Sequence, residues 1–239
     1  MKTQLSMIFA LCSFSFMGCG DAAEEKTTTT TTKSKVTLKG GSSLAALKLA
    51  GVDTKAAKMT YYEFWLAKEA DCSNPIAVFK NTAGKEVDMM VGPEIGSGEL
   101  EQGTYNCVIM VMSDTTKFTP AATTGNCTID QEYTLDVFQP QGETYKPTGK
   151  LPDGTVVTGA VGAQKMAVYI STMSTSTGGE MDGNPFEAPT ASKPKNGIKL
   201  TSPMKITADI VGTMVMDTTG RVESNGQSCD MQPPEFGFK

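Results

Sequence analysis

Gly103-Thr104-Tyr105-Asn106-Cys107-Val108-Ile109-Met110-Val111-Met112-Ser113-Asp114 is the stretch on which the fold turns. Projected at two residues per repeat, Tyr105, Cys107, Ile109 and Val111 share one face, and Val108, Met110 and Met112 share the other. Apolar side chains on both faces describe a central strand with a layer above it and a layer below. The rest of the chain must supply those layers.

Strand-like segments surround it. Val36 and Leu38 begin an alternation; Ile76–Phe79, Val87–Val91, Val156–Val157 and Met166–Ile170 are short apolar runs; Tyr133, Leu135 and Val137 oppose Thr134 and Asp136. Ile206, Ala208, Ile210, Met214 and Met216 line one face of a long predicted strand, with Gly212 as a bulge. Asn225-Gly226 predicts a tight hairpin, and Phe236 with Phe238 an edge strand behind Pro233-Pro234. Gly92-Pro93-Glu94-Ile95-Gly96-Ser97-Gly98 reads as a loop, and Ser42–Gly51 as a two-turn helix with a Ser cap and a terminal Gly. Roughly nine to eleven strands point to an all-β chain, a disulfide-stapled β-sandwich over residues 36–239. Gly103-Thr104-Tyr105 resembles the approach by which a tyrosine enters a strand in some β-sandwich domains.

Met59-Thr60-Tyr61-Tyr62-Glu63-Phe64-Trp65-Leu66-Ala67-Lys68 is the most aromatic segment. Strict alternation puts Tyr62, Phe64 and Leu66 in the core and leaves Met59, Tyr61, Glu63 and Trp65 on the other face. Two rings flanking a carboxylate offer apolar area with polar handles, so Tyr61, Glu63 and Trp65 form the candidate contact face for a protein or glycan ligand. The bland alternative is a second packed layer.

The start of the chain carries one charge, Lys2, then the apolar run Met7–Met17 and the tetrapeptide Phe16-Met17-Gly18-Cys19. A span needs about 20 apolar residues, so this run suits a signal peptide. The tetrapeptide resembles the lipobox of bacterial lipoproteins, although Phe16 stands where the family usually has Leu. The resemblance implies cleavage after residue 18, lipidation of Cys19, and an anchor in a bilayer. At about 0.8 kcal/mol per buried CH2, two or more acyl chains hold firmly where one would not. Gly20, where some Gram-negative lipoproteins carry a retention Asp, favours the outer membrane. Residues 19–35, with six consecutive threonines, read as a flexible stalk.

Beyond Cys19, four cysteines remain: Cys72, Cys107, Cys127 and Cys229. In an exported chain they form a disulfide framework with three possible pairings, one of which joins Cys107 to Cys127 and Cys72 to Cys229. None belongs to a C-x-x-C pair. The chain contains no histidine, which excludes Ser-His-Asp, Cys-His and H-E-x-x-H chemistry. A net charge of -5 without basic clusters makes nucleic acid a poor partner.

Weaker patterns read as packing or solvated loop. Met110/Met112 and Met214/Met216 would suit a soft copper ion only if they met, and methionine is also a core filler. Glu180–Glu187 is rich in oxygen ligands without the EF-hand order, and Ser202-Pro203-Met204-Lys205 is an isolated S-x-x-K. No cofactor is expected. A membrane-anchored, non-catalytic binding or adhesion protein is the expected function, against a carboxylate-dependent glycan hydrolase with Glu63 as its carboxylate, or a structural envelope component.

Overall fold

The computed structural model describes residues 32–42, 50–137, 148–158, 163–176, 183–232 and 234–239. The expected signal peptide, Cys19, almost all of the stalk, most of the predicted helix and residues 180–182 lie outside the described residues. The described residues form sixteen strands. In order these are β1 (Lys33–Gly41), β2 (Thr54–Ala67), β3 (Ile76–Asp88), β4 (Glu94–Glu101), β5 (Gly103–Tyr105), β6 (Cys107–Pro120), β7 (Tyr133–Asp136) and β8 (Thr148–Lys150). Then follow β9 (Val156–Thr158), β10 (Lys165–Ser171), β11 (Ile198–Lys199), β12 (Met204–Ile206), β13 (Ile210–Asp217), β14 (Val222–Ser224), β15 (Cys229–Met231) and β16 (Glu235–Phe238).

Two sheets sandwich the core. One runs β16-β13-β1-β4, with β1 parallel to β13; the other runs β11-β10-β6-β2-β3, with β7 continuing along β6 where β10 stops. Val36 and Leu38 of β1, Met214 and Met216 of β13 and Phe236 of β16 meet Phe64 and Leu66 of β2 and Val108, Met110 and Met112 of β6 in one buried cluster. Burying each of these side chains contributes about 1.5–3 kcal/mol. The other face of β6 packs Cys107, Ile109 and Val111 with Ala67, Ala167 and Tyr169, under Trp65, Leu151 and Ala188. β6 is therefore the central strand its two apolar faces predict. At its entrance the Tyr105 hydroxyl donates to the Glu101 carbonyl at 2.7 Å, tying the strand to the chain just before it.

The domain begins earlier than residue 36. Lys33, Ser34 and Lys35 pair with Glu101, Leu100 and Glu99, and Ser34 is already buried on the side of Val36 and Leu38. The polar Lys-Ser-Lys reads as stalk, but its one inward residue is small and its hydroxyl receives a hydrogen bond from Gln102 Nε2 at 3.0 Å.

The glycine-rich segment is a strand, not a loop. β4 crosses close to β3 of the opposite sheet, and a Cβ on Gly96 would stand 2.9 Å from the Phe79 ring. Glycine here admits a neighbouring strand. The Asn225-Gly226 hairpin forms, with a longer connection than predicted: Asn225 Oδ1 accepts the N–H groups of Gln227 and Ser228 between β14 and β15.

The cysteines pair as Cys72–Cys107 and Cys127–Cys229, with Cα atoms 5.3 and 4.6 Å apart. This corrects the pairing of Cys107 with Cys127. Cys107 opens β6 beside Ala67, the last residue of β2, so the turn that follows β2 brings Cys72 back to it.

Candidate functional site

The aromatic segment is β2, and a bulge rearranges its faces. Along β6, Tyr61 lies opposite Met112 and Glu63 opposite Val111, so two steps of β2 match one of β6. The extra residue breaks the alternation. On the other edge, Glu63 pairs with Lys80 and Tyr61 with Lys85, while Asn81–Gly84 of β3 forms a bulged loop with no partner on β2. Gly84 has φ +76°, and a Cβ there would stand 2.7 Å from the Tyr62 ring, so the loop closes over Tyr62 only with glycine.

Tyr61 is consequently a core residue at 0% exposure, in one buried cluster with Met59, Phe64 and Leu66. Its hydroxyl donates to Met89 Sδ at 3.3 Å, and burial pushes its pKa above the ordinary phenol value. Its place in the expected contact face is overturned by the bulge. Tyr62, expected in the core, packs with Trp65 against the outer cluster instead.

Trp65 is half-buried and held on both its polar and its apolar side. Its indole N–H donates to Glu63 Oε2 at 2.8 Å, and the ammonium of Lys80 lies 4.1 Å from its ring centre. Lys165 stands in the same relation to Tyr62, at 4.6 Å. Each ring therefore carries a cation over it, an attraction of about 0.5–1 kcal/mol at exposed sites. Sequence reasoning missed Tyr62, Lys80 and Lys165, because their convergence depends on the bulge and on strand pairing.

Glu63, Trp65, Lys80, Val111, Leu151, Pro152 and Asp153 enclose a hollow of about 60 Å³. Small-molecule sites occupy about 300–1,000 Å³, so this hollow is too small for a sugar ring. Asp153 accepts the Thr155 N–H at 2.9 Å, which holds its carboxyl below the usual range. A general acid needs the opposite shift, so Asp153 is poorly suited to that role.

The methionine pairs and the described part of the 180–187 segment are taken up within the fold. Met110, Met112, Met214 and Met216 all belong to the main core. Asn184 is engaged by Phe186 N–H and the Thr148 carbonyl, and Glu187 by Asn196. No group of three or more Cys, Asp or Glu side chains fit to hold a metal occurs among the described residues. Comparison of the chain with family models, curated proteins and solved structures finds no match.

Proposed function

We propose that this is a lipid-anchored protein of the bacterial envelope, held in the outer membrane through Cys19, with a non-catalytic binding role. The observation that supports the binding role is the outer face of β2, where Tyr62 and Trp65 lie under the ammonium groups of Lys80 and Lys165. Glu63 and Asp153 place negative charge beside the same rings. Rings framed by charges of both signs suit a protein surface, with the rings as anchors and the charges as rim. A sugar would have to displace an ammonium before it could stack. The two disulfides agree with export to an oxidising compartment.

Beads bearing the full chain test this reading on intact cells, cell-envelope fragments and host-cell surfaces. Adherence is expected to at least one surface, to vanish when that surface is treated with protease, and to fall at least fivefold with Lys80→Glu/Lys165→Glu. Adherence to none of them, or adherence indifferent to both treatments, would overturn it.

A further inference from the structure

A second site lies where the Cys127–Cys229 disulfide ties the hairpin β14–β15 to the segment ahead of β7. There Asn126, Gln131, Tyr133, Thr134, Gln227 and Ser228 surround an open cleft of about 420 Å³. This falls within the ligand range that the hollow at Trp65 fails to reach. The cleft shares no residue with the β2 face.

Its lining is uncharged, although the chain carries a net charge of -5. The neighbouring carboxylates are occupied elsewhere: Asp130 pairs with Lys55 and Glu132 with Lys58, both at 2.7 Å. What faces the cleft is three carboxamides and hydroxyl groups. Among the described residues, the side-chain amides of Asn126, Gln131 and Gln227 and the hydroxyl of Thr134 make no hydrogen bond. A carboxamide offers two N–H donors and a carbonyl acceptor, the complement of a sugar hydroxyl that both donates and accepts.

The walls are fixed before any ligand arrives. The Tyr133 hydroxyl accepts from Thr128 N–H at 2.8 Å and donates to the Asn126 carbonyl at 3.0 Å, while its ring stacks on Phe118 with centroids 5.7 Å apart. Asn126 N–H donates to Ser224 Oγ at 3.0 Å, joining the two walls, and the disulfide joins them again. The backbone that carries the exposed carboxamides, and the Tyr133 ring between them, are held in this way, which lowers part of the ordering cost of binding.

We infer that this cleft binds a neutral carbohydrate, recognised through the carboxamides of Asn126, Gln131 and Gln227. No charge lines it to recognise a phosphate, a carboxylate or an ammonium, and its polar walls disfavour an apolar ligand.

The full chain, extracted in a zwitterionic detergent free of sugar headgroups, is tested on an array of neutral and charged oligosaccharides. Binding to at least one neutral glycan is expected, confirmed by calorimetry with that free oligosaccharide. Gln131→Ala/Gln227→Ala, both at solvated positions, should weaken it at least tenfold, whereas Lys80→Glu should leave it unchanged. Thr134→Val should weaken it more modestly. Binding to no neutral glycan, to charged glycans alone, or with equal affinity after the double substitution would overturn the inference. Because Lys80→Glu alters only the β2 face, failure at either site is distinguishable from failure at the other.

Discussion

The carbonyl oxygen of Val78 on β3 lies 1.8 Å from the point where a side chain on Gly98 of β4 would begin. Two strands of different sheets touch through their backbones here, and only hydrogen on the Gly98 Cα fits between them. Gly98→Ala must push the sheets apart, at a cost of about 3 kcal/mol by the scale of overpacked cores. Gly226 supplies the control: nothing lies within 4 Å of a Cβ built there, and its φ of +85° is the sole strain. Gly226→Ala should cost about 1 kcal/mol. Urea unfolding of the two variants checks the difference.

Asp114 predicts an unusual pH dependence. It is at 0% exposure where the partner of β6 passes from β10 to β7. Oδ1 accepts Gln164 N–H at 2.7 Å, and Oδ2 has no partner among the described residues. Burial, helped by the Asp136 carboxylate, pushes its pKa up to about 6. A raised carboxyl stabilises the fold in its protonated form, so its contribution is full below the unfolded value and disappears as pH rises through about 6. Asp114→Asn should melt close to wild type at pH 4 and several degrees higher at pH 8, a gain of about 2 kcal/mol. Melting curves of both proteins across this range provide the test.

The disulfides span 35 and 102 residues. Loop closure alone assigns them about 4 and about 5 kcal/mol. Peptide mapping without reductant should recover Cys72 with Cys107 and Cys127 with Cys229. Cys127→Ala/Cys229→Ala should lower the urea midpoint strongly, and a Cys107–Cys127 peptide would contradict the fold.

Trp65 is the single tryptophan of the chain, so its fluorescence reports on the β2 face alone. Lys80→Met removes the ammonium above the ring and should cost about 0.5–1 kcal/mol. It should also raise acrylamide quenching of the indole, since the ammonium no longer sits over the ring. Unchanged quenching would mean that Lys80 does not cover the ring in solution.

Patterns fixed by neighbours in sequence were legible, and those set by distant contacts were not. β6 declared itself because both of its faces are apolar, and Phe236 with Phe238 because Pro precedes an alternating pair. Tyr61 and Tyr62 exchanged places because one extra residue inverts every position on one side of it, and a bulge leaves no mark in composition. Gly96 and Gly98 looked like loop because the strand they admit, β3, approaches across the core from the other sheet, a contact that sequence spacing does not show. On the outer face of β2, the places of Glu63 and Trp65 were legible from aromatic spacing, but the lysines above the rings were not.

The proposed lipid anchor is tested most directly by the mass of the tryptic peptide Cys19–Lys26, purified from the membrane fraction of cells that express the full chain. A peptide beginning at Cys19 and heavier by a diacylglyceryl group and an amide-linked acyl chain is the expected result. An unmodified Cys19, or a chain that begins elsewhere and stays in the soluble fraction, would contradict it.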